Sequence, residues 1–146
     1  MGSLNGTSRT ILLVEDNPDD AIFAKRAFSK VCPQAKLTVA RDGEAAIDYL
    51  SGRGEFRDRE RHPLPTLILM DLKLPRKSGL EVLEWLRGTP GLREIPVMVL
   101  SSSDQPQDVE RADELGVVGY HVKPVTNEAF LETARRICQA WRALEL

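Results

Sequence analysis

The chain has 146 residues, which suits one globular domain, and its 42% hydrophobic and 29% charged residues are typical of globular proteins. The net charge of −2 gives no general attraction to nucleic acid or to an anionic membrane. No apolar stretch approaches the ~20 residues that span a bilayer, and the N-terminus lacks the basic and apolar regions of a secretory signal. We therefore expect a cytoplasmic protein with a flexible polar lead over residues 1–9 and a single domain over residues 10–146.

From residue 10 onward, apolar runs alternate with amphipathic segments. The predicted strands are Thr10–Glu15, Lys36–Ala40, Thr66–Asp71, Pro96–Ser101 and Val118–Val122. The predicted helices are Pro18–Val31, Gly43–Leu50, Ser78–Arg87, Pro106–Leu115 and Asn127–Glu145. Strict alternation of strand and helix with short links predicts an α/β fold, in which helices cover both faces of a parallel sheet.

The composition of the strands also predicts their order in the sheet. The first, third and fourth runs are continuously apolar, which indicates central strands buried on both faces, whereas the second and fifth alternate and suit the edges. With right-handed crossovers, this pattern predicts a flavodoxin-like, doubly wound five-stranded sheet in the order 2-1-3-4-5.

Several local signals refine this outline. Asn17, Ser78 and Thr126 stand where they can cap the first, third and fifth helices. Residues 52–63 form a long polar link before the third strand, and we expect a solvated loop there. Cys32 and Cys138 are too few and too far apart in sequence to indicate a metal cluster or a disulfide scaffold, so we expect two reduced thiols.

Polar side chains follow four of the five strands. Glu15 and Asp16 end the first strand, Asp71 the third, Ser101 the fourth and Lys123 the fifth. Because the carboxyl ends of parallel strands meet at one edge, we expect these groups to share one rim. Crowded carboxylates repel one another unless a cation lies between them, and Mg²⁺ suits a site made of oxygen ligands. The set can therefore hold Mg²⁺ and a phosphoryl group, with Asp71 as the nucleophile.

These residues give the chain a family resemblance. The set Glu15-Asp16, Asp71, Ser101 and Lys123-Pro124 resembles that of the receiver domain of two-component response regulators. The resemblance covers nearly the whole chain and implies a phosphoacceptor signalling domain without an effector domain. Such a domain is not an enzyme, although it catalyses its own phosphorylation and dephosphorylation.

The resemblance also implies a role for each matching residue. Asp71 accepts phosphate from a sensor histidine kinase, Ser101 is the switch hydroxyl and Lys123 pairs with the phosphoryl group. Tyr120 turns inward when Ser101 moves, and Pro124 follows a cis peptide bond. The expected Mg²⁺ ligands are Glu15, Asp16, Asp71 and the backbone carbonyl of Lys73. Lys73 departs from the commonest family pattern, which has a neutral or acidic residue there. Because an extended ammonium at this position can reach an anion, we expect Lys73, together with Ser103, to tune dephosphorylation; the alternative is a Lys73 side chain that faces solvent, with only its carbonyl functional.

Finer motifs, such as Asn17-Pro18-Asp19-Asp20, resemble those of the small regulators paired with bacterial phytochromes, so the expected kinase is a phytochrome. We also expect the kinase to dock near the first helix, whose apolar residues exceed the needs of one buried face. The long fifth helix, with Trp141, Leu144 and Leu146 near its end, suggests a homodimer through the surface of helix 4, strand 5 and helix 5. The alternative is that these residues only cover the sheet.

Three other functions fit the same fold. An aspartyl-phosphate hydrolase usually needs an acid two residues after its nucleophile, where this chain has Lys73. A flavin carrier is disfavoured because the acidic rim opposes an anionic cofactor phosphate. A non-phosphorylated interaction module does not need the complete set of acids, hydroxyl and lysine.

Overall fold

The computed structural model describes residues 9–144 and contains one five-stranded parallel sheet in that range. The strands are β1 (Thr10–Val14), β2 (Lys36–Ala40), β3 (Leu67–Met70), β4 (Val97–Ser101) and β5 (Gly119–Val122). The helices are α1 (Pro18–Val31), α2 (Gly43–Ser51), α3 (Gly79–Arg87), α4 (Pro106–Glu114) and α5 (Asn127–Leu144), and a short 3₁₀ helix spans Gly54–Arg57. The predicted bounds agree with these to within two residues, and the predicted last residue of the fifth helix, Glu145, lies outside the described residues.

The strand order is β2-β1-β3-β4-β5, which confirms the flavodoxin-like topology predicted from the apolar runs. Residues of β1, β3 and β4 are buried throughout, whereas the edge strands β2 and β5 are mostly half-buried. This difference arises because a central strand has helices on both faces and neighbours on both sides.

Alternate residues of each central strand enter two separate apolar cores. One core lies between the sheet and helices α2, α3 and α4, and includes Leu12, Ile68 and Val82. The other lies under α1 and α5, and includes Leu13, Phe28 and Trp141. Trp141 is only 1% exposed, so it serves the core rather than the surface expected for a dimer. Burying a side chain of this size contributes about 3 kcal/mol.

The helix starts follow the sequence signals. The Asn17 side chain accepts hydrogen bonds from the amides of Asp19 and Asp20, and Ser78 forms a capping box with Glu81. The Thr126 hydroxyl oxygen accepts from the Ala129 amide at 3.1 Å. Each cap satisfies amide groups that the helix itself leaves unpaired, and this is worth about 1 kcal/mol per helix.

The link over residues 52–63 is mostly exposed, as expected of a solvated loop, and specific contacts hold part of it in place. The Arg59 guanidinium donates to the carbonyls of Tyr49, Leu50 and His62 at 2.8–3.1 Å. The Tyr49 ring lies against those of Phe56 and His62, with centroids 5.1 Å and 6.0 Å away. The loop folds because Arg59 satisfies carbonyl groups at the end of α2 and the three rings exclude water from this contact.

Two expectations are wrong. A disulfide joins Cys32 to Cys138, whose Cα atoms lie 6.6 Å apart, where we expected two reduced thiols. The two cysteines are far apart in sequence but close in space, because α1 and α5 pack side by side on one face of the sheet. The bond between Lys123 and Pro124 is trans rather than cis, as are all the peptide bonds between residues 9 and 144. The trans form is the intrinsically favoured one before proline, by about 0.5–1 kcal/mol.

Candidate phosphoacceptor site

Asp71 follows the last residue of β3 and lies in the middle of the carboxyl edge, only 3% exposed. Its amide donates to the carbonyl of Val14, which extends the sheet pairing by one residue and fixes the direction of the carboxylate. Helix α3 begins directly above it at Gly79. A Cβ atom at that position would lie 2.2 Å from the Asp71 carbonyl oxygen, so only glycine permits this close approach.

The structure brings together the three carboxylates predicted to share the rim. One oxygen of each of Glu15, Asp16 and Asp71 lies within 4.8 Å of the others. Glu15 is 2% exposed and Asp71 is 3% exposed, whereas Asp16 is exposed to solvent. The cluster is therefore a pocket with two buried acids at its base and one acid at its mouth.

Lys123 neutralises part of this charge. Its Nζ atom lies 2.7 Å from Glu15 Oε1, 2.9 Å from Asp71 Oδ2 and 3.0 Å from Asp20 Oδ2. Burial alone would lower the pKa of this ammonium group, but its contacts with Glu15 and Asp71 outweigh burial and raise the pKa above its usual value. Lys123 therefore stays charged at any physiological pH.

Glu15 shows the cost of gathering these acids away from water. Burial raises the pKa of its carboxyl to about 7, even though the Lys123 ammonium and the Asn17 amide lower it. The pocket holds four carboxylates, those of Glu15, Asp16, Asp20 and Asp71, against one ammonium. It therefore has an excess of negative charge that a divalent cation would offset, and carboxylate oxygens are the ligands that Mg²⁺ prefers. The donor set thus fits the expected metal.

Ser101 contacts Asp71 from the neighbouring strand. Its hydroxyl donates to Asp71 Oδ1 at 2.9 Å, and the Lys73 amide donates to the same oxygen at 3.0 Å. The Ser101 oxygen also lies 3.4 Å from the Leu72 amide and 3.3 Å from the Ser103 amide, both of which donate to it. Both Asp71 oxygens therefore face donors, with Ser101 and Lys73 at Oδ1 and Lys123 at Oδ2. Such donors can stabilise negative charge on a transferred group.

Tyr120 and Ser103 are placed one step away from Asp71. The Tyr120 hydroxyl donates to the Ser103 carbonyl at 2.8 Å, and its ring packs against the core under α2, α3 and α4. The Ser103 hydroxyl donates to Asp108 in the first turn of α4. Ser103 is thus held by α4 and by Tyr120, and its hydroxyl contacts α4 rather than Asp71. The contacts from Asp71 through Ser101 and Ser103 connect the carboxylate with the start of α4.

The Lys73 side chain is exposed to solvent, and its backbone amide is the group in contact with Asp71. Sequence reasoning missed Asp20 as a member of the site and assigned it only to the first turn of α1. One signal was present, because Asp20 is an acid in the first turn of the helix that directly follows the first strand, at the same edge of the sheet.

Comparison with known proteins gives a consistent result. The profile of the response regulator receiver domain matches residues 11–135. The chain is 37% identical over 131 residues to the probable methanogenesis regulatory protein FilR2 of Methanothrix harundinacea, covering 90% of this chain and 82% of that protein. It is 38% identical over 123 residues to the response regulator Rcp1 of a Synechocystis species, covering 84% of this chain and 82% of Rcp1.

Solved structures agree with the sequence matches. The phosphorylated cyanobacterial phytochrome response regulator RcpA superposes with a TM-score of 0.86 at 33% identity, covering 94% of this chain and 96% of RcpA. The Mn²⁺-bound form of Rcp1 gives a TM-score of 0.82 at 36% identity, over 91% of this chain and 94% of that one. The profile match over most of the chain, together with these relatives and the shared fold, shows that this chain belongs to the response regulator receiver domain family.

Proposed function

We propose that the chain is a phosphoacceptor of a two-component system, in which Asp71 receives a phosphoryl group from the phosphohistidine of a sensor histidine kinase. The observation that carries this proposal is the environment of Asp71, a buried carboxylate in contact with an ammonium, a hydroxyl and an amide and grouped with two more acids. A merely structural acid does not need this set of groups.

In the proposed transfer, an Asp71 carboxylate oxygen forms a bond to phosphorus while the bond from phosphorus to the donor histidine nitrogen breaks. Lys123 stabilises the charge on the transferred oxygens, and the Ser101 hydroxyl turns from Asp71 Oδ1 toward the new phosphoryl group. Glu15, Asp16 and Asp71, with the carbonyl of Lys73, would hold Mg²⁺, which supplies further charge neutralisation when it is bound. Phosphotransfer of this kind depends on positioning and charge rather than on a general acid.

For its output, we propose that phosphorylation changes the surface at α4 and β5. Ser101 accepts from the Ser103 amide, and the Ser103 carbonyl accepts from Tyr120, so a displacement of Ser101 reaches both elements. Val109 of α4, Val118 directly before β5 and Val122 of β5 are 37–48% exposed and give the surface an apolar character suited to a homodimer. We propose this surface as the dimer interface. Trp141 is buried and lends the dimer no support, and Leu146 lies outside the described residues.

For the partner, we propose a histidine kinase that docks on α1 beside the pocket. Ile22 is 47% exposed and Phe23 is 38% exposed, whereas Ala24, Ala27 and Phe28 of the same helix are buried. The exposed pair is apolar surface that the fold itself does not use. The likeness to RcpA and Rcp1 makes a phytochrome the first kinase to test, with the chain working as a single receiver domain.

The central test is intact mass after incubation with Mg²⁺ and acetyl phosphate. We expect the wild-type chain to gain one phosphoryl group and Asp71→Asn to gain none. Asp48→Asn is the matched control, since Asp48 is a half-exposed acid of α2 whose carboxylate lies 3.5 Å from Arg53, away from the pocket. Labelling of Asp71→Asn to the level of the wild type would overturn the proposal.

The dimer needs a separate test. We expect sedimentation at high protein concentration to show a dimer for the wild type and a monomer for Val118→Asp, which places a charge on the apolar surface. Ile22→Asp, on the opposite side of the sheet, serves as the control. If the wild type sediments as a monomer both with and without beryllofluoride, a phosphoryl mimic, the proposed interface is wrong.

A further inference from the structure

We propose that Cys32 and Cys138 form a reversible redox cross-link that locks α1 to α5, and that an anionic low-molecular-weight thiol, together with its disulfide, opens and closes it. The disulfide joins two helices that are 106 residues apart in sequence. Nothing in the proposed phosphotransfer uses it. The proposal is independent of phosphorylation and concerns a second, covalent site on the opposite side of the sheet from α4.

The position of Cys32 makes the cross-link mechanically effective. Cys32 is the C-cap residue of α1, and its amide donates to the Phe28 carbonyl at 2.7 Å. Cys138 lies within α5, between Ala134 and Trp141 on the buried side of that helix. The bond therefore fixes the end of α1 at a point on α5 where both backbones are already close, with Cα atoms 6.6 Å apart.

The two helices do not depend on the bond for their contact. Phe28 of α1 and Phe130, Ala134, Ile137 and Trp141 of α5 are at most 5% exposed and share one apolar core. We therefore expect the reduced protein to stay folded, with α1 and α5 still packed. What reduction removes is the closed loop, and a loop of about 100 residues restricts the unfolded chain enough to give a large stabilisation.

A basic groove leads to the cross-link. Its lining comprises Lys30 and Val31 of α1 and Leu131, Arg135, Cys138, Gln139 and Arg142 of α5. Lys30, Arg135 and Arg142 are cationic, and Arg135 is paired in part with Glu132 at 3.6 Å. No acidic side chain lines the groove among the described residues. A small thiol that carries carboxylates is therefore attracted to the Cys138 sulfur, whereas a cationic thiol is repelled.

The exchange proceeds through two balanced steps. A thiolate attacks the Cys138 sulfur, the bond to Cys32 breaks, and Cys32 leaves as a thiolate that takes up a proton. A second thiolate attacks the resulting mixed disulfide, which releases Cys138 as a thiolate, also then protonated, and a low-molecular-weight disulfide. Two electrons pass from the two small thiols to the protein, and the reverse steps oxidise it. Because Cys138 is 3% exposed, the first attack requires a small opening between α1 and α5.

Thiol counting and thermal unfolding test the cross-link itself. After treatment with oxidised glutathione we expect no free thiols, and after reduced glutathione in excess we expect both. The oxidised chain should melt about 10 °C higher than the reduced chain, and the melting of Cys138→Ala should not respond to either reagent. Because the wild type is compared with itself, a folding defect in the variant leaves the test intact. Two free thiols in the wild type after oxidation, or equal melting temperatures, would overturn the proposal.

The charge of the groove gives a second, independent test. We compare the rates of reduction of the wild type by glutathione, which is anionic, and by cysteamine, which is cationic. The ratio of these rates, corrected for the reactivity of each thiol toward a small disulfide, should favour glutathione and fall several-fold in Arg142→Glu. Arg61→Glu, in the link before β3, should leave the ratio unchanged. An unchanged ratio in Arg142→Glu would overturn the basic groove as the entry route.

Discussion

Two regions of this molecule each surround a cation, Lys123 in one and Arg59 in the other, and the groups that contact these cations differ. Lys123 lies at the carboxyl edge among Glu15, Asp20 and Asp71, with every contact to a charged carboxylate. Arg59, in the link before β3, is held by the neutral carbonyls of Tyr49, Leu50 and His62. The first arrangement can exchange partners, because a phosphoryl group or a metal ion can replace one of the charges. The second has no such freedom, because backbone carbonyls at the end of α2 have no other role.

The two regions differ in the chemistry of the groups around each cation rather than in burial. This chemistry distinguishes a candidate functional site from a contact that only stabilises the fold. Charged groups gathered away from water are costly, and burial raises the pKa of Glu15 to about 7 although the Lys123 ammonium and the Asn17 amide lower it. Carbonyls at a helix end are a routine problem that one arginine can solve. Substitution of Lys123 should therefore reduce phosphorylation, whereas substitution of Arg59 should reduce stability.

The largest expected effect is that of Lys123→Ala on phosphorylation. Loss of the ammonium leaves the developing charge on the transferred oxygens without its main partner, so labelling by acetyl phosphate should slow by about 100-fold or more. The measurement is the rate of phosphoryl gain by intact mass at saturating Mg²⁺. Lys25→Ala, an exposed lysine of α1, should keep the wild-type rate. A Lys123→Ala rate within a few-fold of the wild type would contradict the role given to this ammonium.

The counterpart in the second region is Arg59→Ala. It removes the guanidinium that donates to three carbonyls, of which that of Tyr49 keeps the Gly52 amide as a donor at 3.2 Å. It also removes the cation that lies 6.0 Å from the centre of the Tyr49 ring. We expect a loss of about 2 kcal/mol in the free energy of unfolding, measured by urea titration, and no change in the rate of phosphorylation. Arg61→Ala is the matched control, since Arg61 is exposed in the same link. Equal stability of the two variants would show that the Arg59 contacts are dispensable.

The same contrast explains how far the sequence could predict the molecule. The sequence predicted that Glu15, Asp71, Ser101 and Lys123 meet, because each stands at the end of a predicted strand and the carboxyl ends of parallel strands lie at one edge of the sheet. The Arg59 contacts were not predicted, because they depend on where a polar loop returns in space. The Cys32–Cys138 bond was missed for the same reason, since only the packing of α1 against α5 brings the two residues together.

A smaller effect is expected at Lys73, whose side chain is exposed, whereas the Lys123 ammonium is held by three carboxylates. We expect an extended ammonium here to lie over the phosphoryl group and hinder water. Lys73→Asn should then shorten the lifetime of the acyl phosphate by a few-fold, measured as loss of phosphoryl mass after removal of the donor. Lys77→Asn, four residues further along the same loop, is the control. An unchanged lifetime in Lys73→Asn defeats this interpretation.

The smallest expected effect is at His121. At this residue a charged neighbour shifts the pKa in the same direction as burial does, whereas the neighbours of Lys123 oppose burial. Burial lowers the pKa of the His121 imidazole below the ordinary 6.5, and the Arg136 guanidinium lowers it further. The folded protein thus binds the proton less readily than the unfolded chain does. His121 therefore lowers the free energy of unfolding as the pH falls below 6.5 toward the lower pKa of the folded state, and it has no such effect above pH 6.5. The melting temperature of the wild type should therefore drop more between pH 8 and pH 5 than that of His121→Gln. Identical drops in the wild type and His121→Gln would mean that this imidazole titrates alike in both states. Burial lowers the pKa of Lys123 as it lowers that of His121, but hydrogen bonds to Glu15 and Asp71 outweigh burial and raise it, so acidic neighbours decide the direction of the shift at Lys123.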